Sequence, residues 1–217
     1  MAKKNIISKD KVLEVINKLD LLYPDAGCSL DYDNLYNLIV AVVLSAQTTD
    51  VSVNKVTPAL FEKYPTVYEL SDADVLDVEN IIKKIGLYKN KAKNIVCLAN
   101  DLVQKFDGNV PDDFDNLVKL PGVGRKTANV VLAEGFGEQK IAVDTHVFRV
   151  SNRIGIVKEK NPLDTEISLM NQIPEHMWTH AHHLLIFHGR GLCTAKNPDC
   201  EKCPLNCTCL YYINNTV

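Results

Sequence analysis

Leu120-Pro121-Gly122-Val123-Gly124-Arg125-Lys126-Thr127-Ala128-Asn129-Val130-Val131-Leu132 is the stretch on which the fold turns. Pro121 and the two glycines punctuate the chain between two helical patterns: Phe114, Leu117 and Leu120 before the turn, and the run 130–133 after it. Glycine permits tight backbone geometry, and the turn opens at a helix amino terminus. Backbone N–H groups there point outward and attract an anion such as a DNA phosphate. The spacing is not that of a Walker loop, and no strand precedes it as in a Rossmann turn. A lone Gly-x-Gly serves equally as an interhelical turn, so its meaning rests on its surroundings.

Working outward, helical periodicity dominates. Leu35, Leu38, Ile39, Val42, Val43 and Ala46 form one stripe, with Asp33 or Asn34 as its cap. Ser71 and Asp74 read as the start of a helix carrying Val75, Leu76, Ile81 and Ile82, which Gly86 stops. The cleanest stripe is Ala92, Ile95, Val96, Ala99, Leu102, Val103 and Phe106, ended by Asp107-Gly108. Met177, Trp178, Ala181, Leu184, Leu185 and His188 make another. Ile141-Ala142-Val143 is the one strand-like stretch, too short and isolated for a sheet. The expected class is all-α. The best boundary is the Gly135-Phe136-Gly137 turn, with a second near positions 24–27 after the first helix. If both are real, the first helix packs against the carboxy-terminal helices.

Lys126 stands in the first turn after the hairpin. A lysine there is most often a solvated charge. However, the positive end of the helix dipole and neighbouring Arg125 disfavour an ammonium, and partial burial pushes the same way, freeing the amine as a nucleophile. Eighteen residues on, Asp144-Thr145-His146 opens a helix bearing Val147, Val150 and Ile154. Asp144 reads first as an N-cap. A capping carboxylate is also rigidly aimed, which suits it to stabilise a developing cation.

Cys193, Cys200, Cys203 and Cys209 fall within 17 residues, with gaps of six, two and five. Dense cysteines in a chain whose amino terminus carries charge but no apolar leader segment point to metal rather than disulfides. Zinc sites usually come as two close pairs, whereas one close pair with wider single gaps suits an iron–sulfur cubane. Cys207 keeps a second possibility open for the fourth ligand. Cys28 and Cys97 read as small buried hydrophobes.

The chain has 217 residues, 46% hydrophobic and 24% charged, which excludes disordered and low-complexity classes. Its longest apolar run, residues 38–44, is far short of the roughly 20 residues of a membrane span. Lys plus Arg number 24 against 27 Asp plus Glu, a net charge of −3. That balance argues against a protein that coats nucleic acid, though not against one binding DNA through a local patch.

The motifs 120–132 and Val143-Asp144-Thr145-His146-Val147-Phe148-Arg149, with the cysteine pattern, together resemble the endonuclease III family, bifunctional DNA glycosylases of the helix-hairpin-helix superfamily. Leu44-Ser45-Ala46-Gln47-Thr48-Thr49-Asp50, Ile85-Gly86-Leu87-Tyr88 and the segment 182–190 extend the likeness over nearly the whole chain. The resemblance implies two helical domains with a DNA-binding groove between them. A six-helix domain, residues 28–138, would carry the hairpin, and a discontinuous domain of residues 1–27 and 139–217 would carry a [4Fe–4S] cluster. It implies excision of oxidised pyrimidines from double-stranded DNA, with Lys126 as nucleophile and Asp144 as catalytic carboxylate. Cleavage of the abasic site would follow by β-elimination through a lysine Schiff base. Cys193, Cys200, Cys203 and Cys209 are the implied cluster ligands.

The target base must leave the stack before Lys126 can reach its sugar. By resemblance, Gln47 fills the vacated space, and Leu87 with Ile85 wedges into the stack. Gly122, Val123 and Gly124 would offer amides to a phosphate, and Arg125, Thr127 and His146 complete the implied DNA contacts. Lys83, Lys84, Lys89, Lys91 and Lys93 form a candidate basic strip, although a solvated helix face explains them as well. The loop between Cys193 and Cys200 departs from the family by carrying only Lys196 as a basic residue. Five histidines between positions 176 and 188 lack a His-Glu-x-x-His arrangement and read as packing or phosphate contacts. The resemblance further implies a monomer acting at a bacterial chromosome, in the cytoplasm.

Three rivals stand beside this reading. An adenine-mismatch glycosylase shares the hairpin, aspartate and cluster, but Lys126 and a chain ending shortly after Cys209 weigh against it. A non-catalytic redox-sensing module would have no use for Lys126 and Asp144 together. A zinc-stabilised interaction protein would be colourless.

Overall fold

The computed structural model describes residues 6–215. Residues 1–5, part of the amino terminus read above for a leader, lie outside the described residues. Thirteen α-helices and no strand occur among the described residues, and Ile141-Ala142-Val143 is extended chain leading into a helix. The chain divides into two compact units, one spanning Ser29–Glu138 and the other combining the chain up to Cys28 with the chain from Gln139 onward.

Helix α1 (Lys9–Leu22) precedes the first break. The unit Ser29–Glu138 holds α2 (Leu35–Leu44), α3 (Asp50–Asn54), α4 (Thr57–Lys63), α5 (Val67–Ser71), α6 (Val75–Ile82), α7 (Tyr88–Phe106), α8 (Phe114–Leu117) and α9 (Arg125–Phe136). These are eight helical segments where six were expected. Three of them, α3, α5 and α8, have only five, five and four residues, too short to display a 3.6-residue stripe. They are marked by their caps instead: Thr49, Thr66 in a capping box with Glu69, and Asp113.

Asn34, not Asp33, caps α2, its side chain accepting the Asn37 N–H at 2.9 Å. All nine residues after the first are buried, as expected of a helix apolar on every side, and α2 packs against α7 and α9. Asp74 caps α6, while Ser71, expected to start that helix, ends α5 and donates to Tyr68 O at 2.7 Å. On α7, Ile95, Leu98 and Leu102 are fully buried, and each contributes about 1.5–3 kcal/mol. Burial therefore outweighs any cap, worth typically ~1 kcal/mol, in holding α7. The helix ends where Asp107 turns left-handed and the Gly108 N–H returns to Leu102 O at 3.0 Å.

In the other unit, α10 (Thr145–Ile154), α11 (Pro162–Gln172), a 3-10 turn (Glu175–Met177), α12 (Trp178–Arg190) and α13 (Leu210–Asn215) follow the second break. Val12, Ile16 and Leu19 of α1, Val147, Val150 and Ile154 of α10, and Leu184 and Leu185 of α12 form one core. A Cβ on Gly189 would stand 2.9 Å from His146 Cβ, so glycine lets α12 lie directly on α10. No described helix is long and apolar enough to cross a membrane.

Candidate active site and metal centre

The hairpin between α8 and α9 places Gly124 as the cap of α9 and Gly122 at φ +78°. A Cβ on Gly122 would stand 2.9 Å from Val43 Cγ1 and 3.2 Å from Asn94 Cβ. The turn is thus pressed between α2 and α7, and glycine is required there twice over, by conformation and by space. Among the described residues, the Gly122 and Gly124 amides meet no acceptor. Val123 corrects the expectation of three open amides: its side chain is buried and its N–H donates to Leu120 O at 3.1 Å. Lys126, second residue of α9, is exposed, not partly buried. Its head group is open to an incoming ligand. Arg125 stacks over the Phe114 ring, 5.1 Å from its centroid, and Thr127 is half-buried.

Three non-glycine residues among those described have a positive φ, and two of them are Gln47 (53°) and Leu87 (57°). The left-handed conformation costs an ordinary residue roughly 1–2 kcal/mol. Gln47 is exposed and Leu87 is 56% exposed, so strain and an uncovered apolar side chain coincide. Both features sit at helix ends, Gln47 just after α2 and Leu87 as the residue before α7. Ile85, expected to wedge beside Leu87, is only 3% exposed and supports the loop from beneath. Lys83, Lys84, Lys89 and Lys93 are exposed. Lys91 is not part of a surface strip: it is 4% exposed, its Nζ bonds Thr48 Oγ1, and burial lowers its pKa.

In the other unit, Asp144 caps α10, with Oδ1 accepting the N–H groups of His146 and Val147, both at 2.8 Å. Oδ2 meets no donor among the described residues, so the carboxylate is aimed by one oxygen and available at the other. His146 Nδ1 lies 3.2 Å from Arg149 Nη2, which also donates to Gly189 O at 2.9 Å and Cys193 O at 3.1 Å. One turn on, Arg153 donates to Thr194 O at 2.7 Å and Ala195 O at 2.8 Å. The helix that aims Asp144 therefore also fastens the start of the cysteine loop.

Cys193, Cys200, Cys203 and Cys209, all half-buried, line one recess with Arg153, His188 and Leu205. Cys207 is exposed and outside it, so Cys209, not Cys207, is the fourth thiol of the recess. Burial pushes the Cys203 thiol up to about 11, with the thiols of Cys209, Cys193 and Cys200 acting in the same direction, and burial raises Cys200 and Cys209 as well. Four converging thiols, three of which burial holds in the neutral form, fit a cationic group able to stabilise all four thiolates at once. His188 Nε2 lies 3.5 Å from Cys203 Sγ, and Tyr23 OH lies 3.3 Å from the same ring's Nδ1. Burial lowers the His188 pKa to about 4, so the ring is neutral near pH 7.

Residues 40–175 match the family model for HhH-GPD superfamily base excision DNA repair proteins. Endonuclease III of Rickettsia conorii is 47% identical over 205 residues, 94% of this chain and 96% of its own length. Endonuclease III of Bacillus subtilis is 48% identical, covering 89% of each chain. A solved structure of a trapped endonuclease III–DNA covalent intermediate superposes with a TM-score of 0.93 at 45% identity, over 98% of this chain and all of its own. The chain belongs to the endonuclease III family.

As a member of that family it is a base excision repair enzyme of the DNA glycosylase and abasic-site lyase class. Within this endonuclease III fold, sequence alone does not point to the loop-fastening role of the arginines, and Lys91, expected on the surface strip, is buried instead. The histidines resolve largely into packing: His182, His183 and His188 are buried, and His180 pairs with Asp20 at 2.6 Å.

Proposed function

We propose that this chain removes oxidised pyrimidines from duplex DNA and cuts the resulting abasic site by β-elimination. The observation that carries the reading is an exposed lysine in the first turn of α9, directly behind two hairpin amides without internal acceptors. A DNA phosphate satisfies such amides and sets the strand against α9. Gln47 and Leu87 enter the stack as the damaged nucleotide leaves it.

Lys126 Nζ gives up a proton and attacks C1′, the bond from C1′ to the base breaks, and the base departs with a proton. Loss of the amine's proton and ring opening give an imine joining Nζ to C1′. The imine makes the C2′ proton acidic. Its removal expels the 3′ phosphate as the C3′–O bond breaks, and water then frees Lys126. Asp144 supports the cationic transition state and the proton transfers. Borohydride reduces such an imine to a stable amine. A duplex carrying thymine glycol is therefore expected to become covalently linked to the native protein on borohydride treatment. A protein that cuts this duplex without ever being trapped would overturn the lysine mechanism.

Asp144→Asn separates the carboxylate's two roles. Asparagine retains an oxygen for the His146 and Val147 amides, so the thermal midpoint is expected to move by no more than about 2 °C. The charge is lost, and kcat is expected to fall about a hundred- to a thousandfold. Equal kcat in the two proteins, measured in single-turnover excision, would leave Asp144 as a cap alone.

The four recess thiols fit a [4Fe–4S] cluster, held by Cys193, Cys200, Cys203 and Cys209. When bound, it supplies iron–thiolate coordination that cross-links the loop. We place the activity at the bacterial chromosome, in keeping with the sources of the relatives.

A further inference from the structure

Lys91 is the one buried lysine among the five read as a basic strip, and the proposed chemistry leaves it without a task. It is 4% exposed on α7 and faces no carboxylate among the described residues. Burying an ammonium without a counter-charge is unfavourable, and burial lowers the pKa of this one. A methionine of similar length would fill the space without that penalty. Its Nζ contact is the Thr48 hydroxyl, in the turn that Thr48 N–H closes on Ser45 O at 3.0 Å. Gln47, left-handed and exposed, is the residue just before Thr48. Thr48 Oγ1 also stands 3.9 Å from where a Cβ on Gly86 would be, against the turn that presents Leu87.

One hydroxyl thus belongs to the Gln47 turn and faces the glycine beside Leu87, and Lys91 is what holds it. One turn further along α7, Asn94 underlies Gly122 of the hairpin. The amino-terminal half of α7 is the common footing of the three segments proposed to meet DNA. We infer that Lys91 is a positioning residue, which through Thr48 sets the register of Gln47 and Leu87 for extruding the damaged base. The inference rests on the glycosylase reading above.

The test compares the native protein with Lys91→Met, Thr48→Val and the double variant. Base extrusion is followed by the fluorescence of 2-aminopurine placed beside thymine glycol, and kcat/KM is measured for excision. Each single variant is expected to lower kcat/KM about tenfold, as loss of a hydrogen bond to a charged group does. The double variant is expected to lose no more than the worse single one, because both remove the same bond. On a preformed abasic site, which has no base to extrude, the loss is expected to be several times smaller. The thermal midpoint of Lys91→Met is expected to be held or raised, whereas a merely structural lysine predicts a fall.

Additive losses, native-like excision by Lys91→Met, or an equal loss on the preformed abasic site would overturn the inference. Should Lys91→Met fail to fold, native-like extrusion by Thr48→Val overturns it alone. A native protein that neither excises nor becomes trapped overturns the glycosylase reading, and this inference with it.

Discussion

Lys126→Ala is expected to abolish the borohydride-trapped complex and to slow excision on the order of 10³-fold or more, since a covalent mechanism has no substitute for its nucleophile. The substitution leaves the fold alone for reasons specific to its place. Lys126 is exposed, so its removal opens no cavity. Alanine is the better helix former, and withdrawing a positive charge from the first turn of α9 relieves an unfavourable interaction with the helix dipole. The thermal midpoint is therefore expected to be unchanged or slightly higher, and the loss is one of chemistry. Binding is expected to survive, because the Gly122 and Gly124 amides, Gln47 and Leu87 all remain. The decisive measurement pairs trapping with a gel-shift on a duplex carrying a non-cleavable abasic analogue. A Lys126→Ala protein that still traps would move the nucleophile elsewhere, and one that no longer binds would make Lys126 a phosphate contact.

The readable parts of the chain share a physical character: each is local. Pro121, Gly122 and Gly124 announce a turn by their own backbone preferences, and Asp144 announces a cap by its own side chain. The α7 stripe shows its buried face within nineteen residues. What stayed hidden depends on distant partners. Five lysines around α7 look alike in sequence, yet Lys91 alone is enclosed, by a loop 43 positions away. Ile85 and Leu87 are two apolar residues flanking one glycine, and only the left-handed turn decides that the first is covered and the second is not. Arg149 and Arg153 reach carbonyls about forty positions along the chain, a distance over which spacing carries no signal. The Val123 amide is closed for a smaller reason, a turn hydrogen bond three residues back.

Removing a recess thiol is expected to have the other large effect. The segment from Cys193 to Cys209 contains no described helix, and within it Leu205 is the only fully buried apolar side chain. Its other ties include turn hydrogen bonds, the arginines of α10, the His188 contact to Cys203 Sγ, a Lys202–Asp199 ion pair and a Lys18 contact to Pro204 O at 3.4 Å. Such bonds contribute on the order of 1 kcal/mol each, somewhat more from the part-buried arginines, against a conformational entropy of roughly 1–2 kcal/mol for each of seventeen residues. A metal group held by the four thiols would add to those bonds: structural zinc sites, for comparison, contribute apparent energies of about 10–16 kcal/mol, comparable to the whole stability of a domain. Cys203→Ala is therefore expected to bleach the visible iron–sulfur absorption and to unfold the unit containing α1 and α10–α13 at ordinary temperature, read by circular dichroism and proteolysis. Cys207→Ala, whose thiol lies outside the recess, is expected to keep both colour and thermal midpoint. A coloured, fully stable Cys203→Ala protein would remove that thiol from the ligand set, and a native protein that is colourless yet loses its fold to a chelator would make the metal zinc.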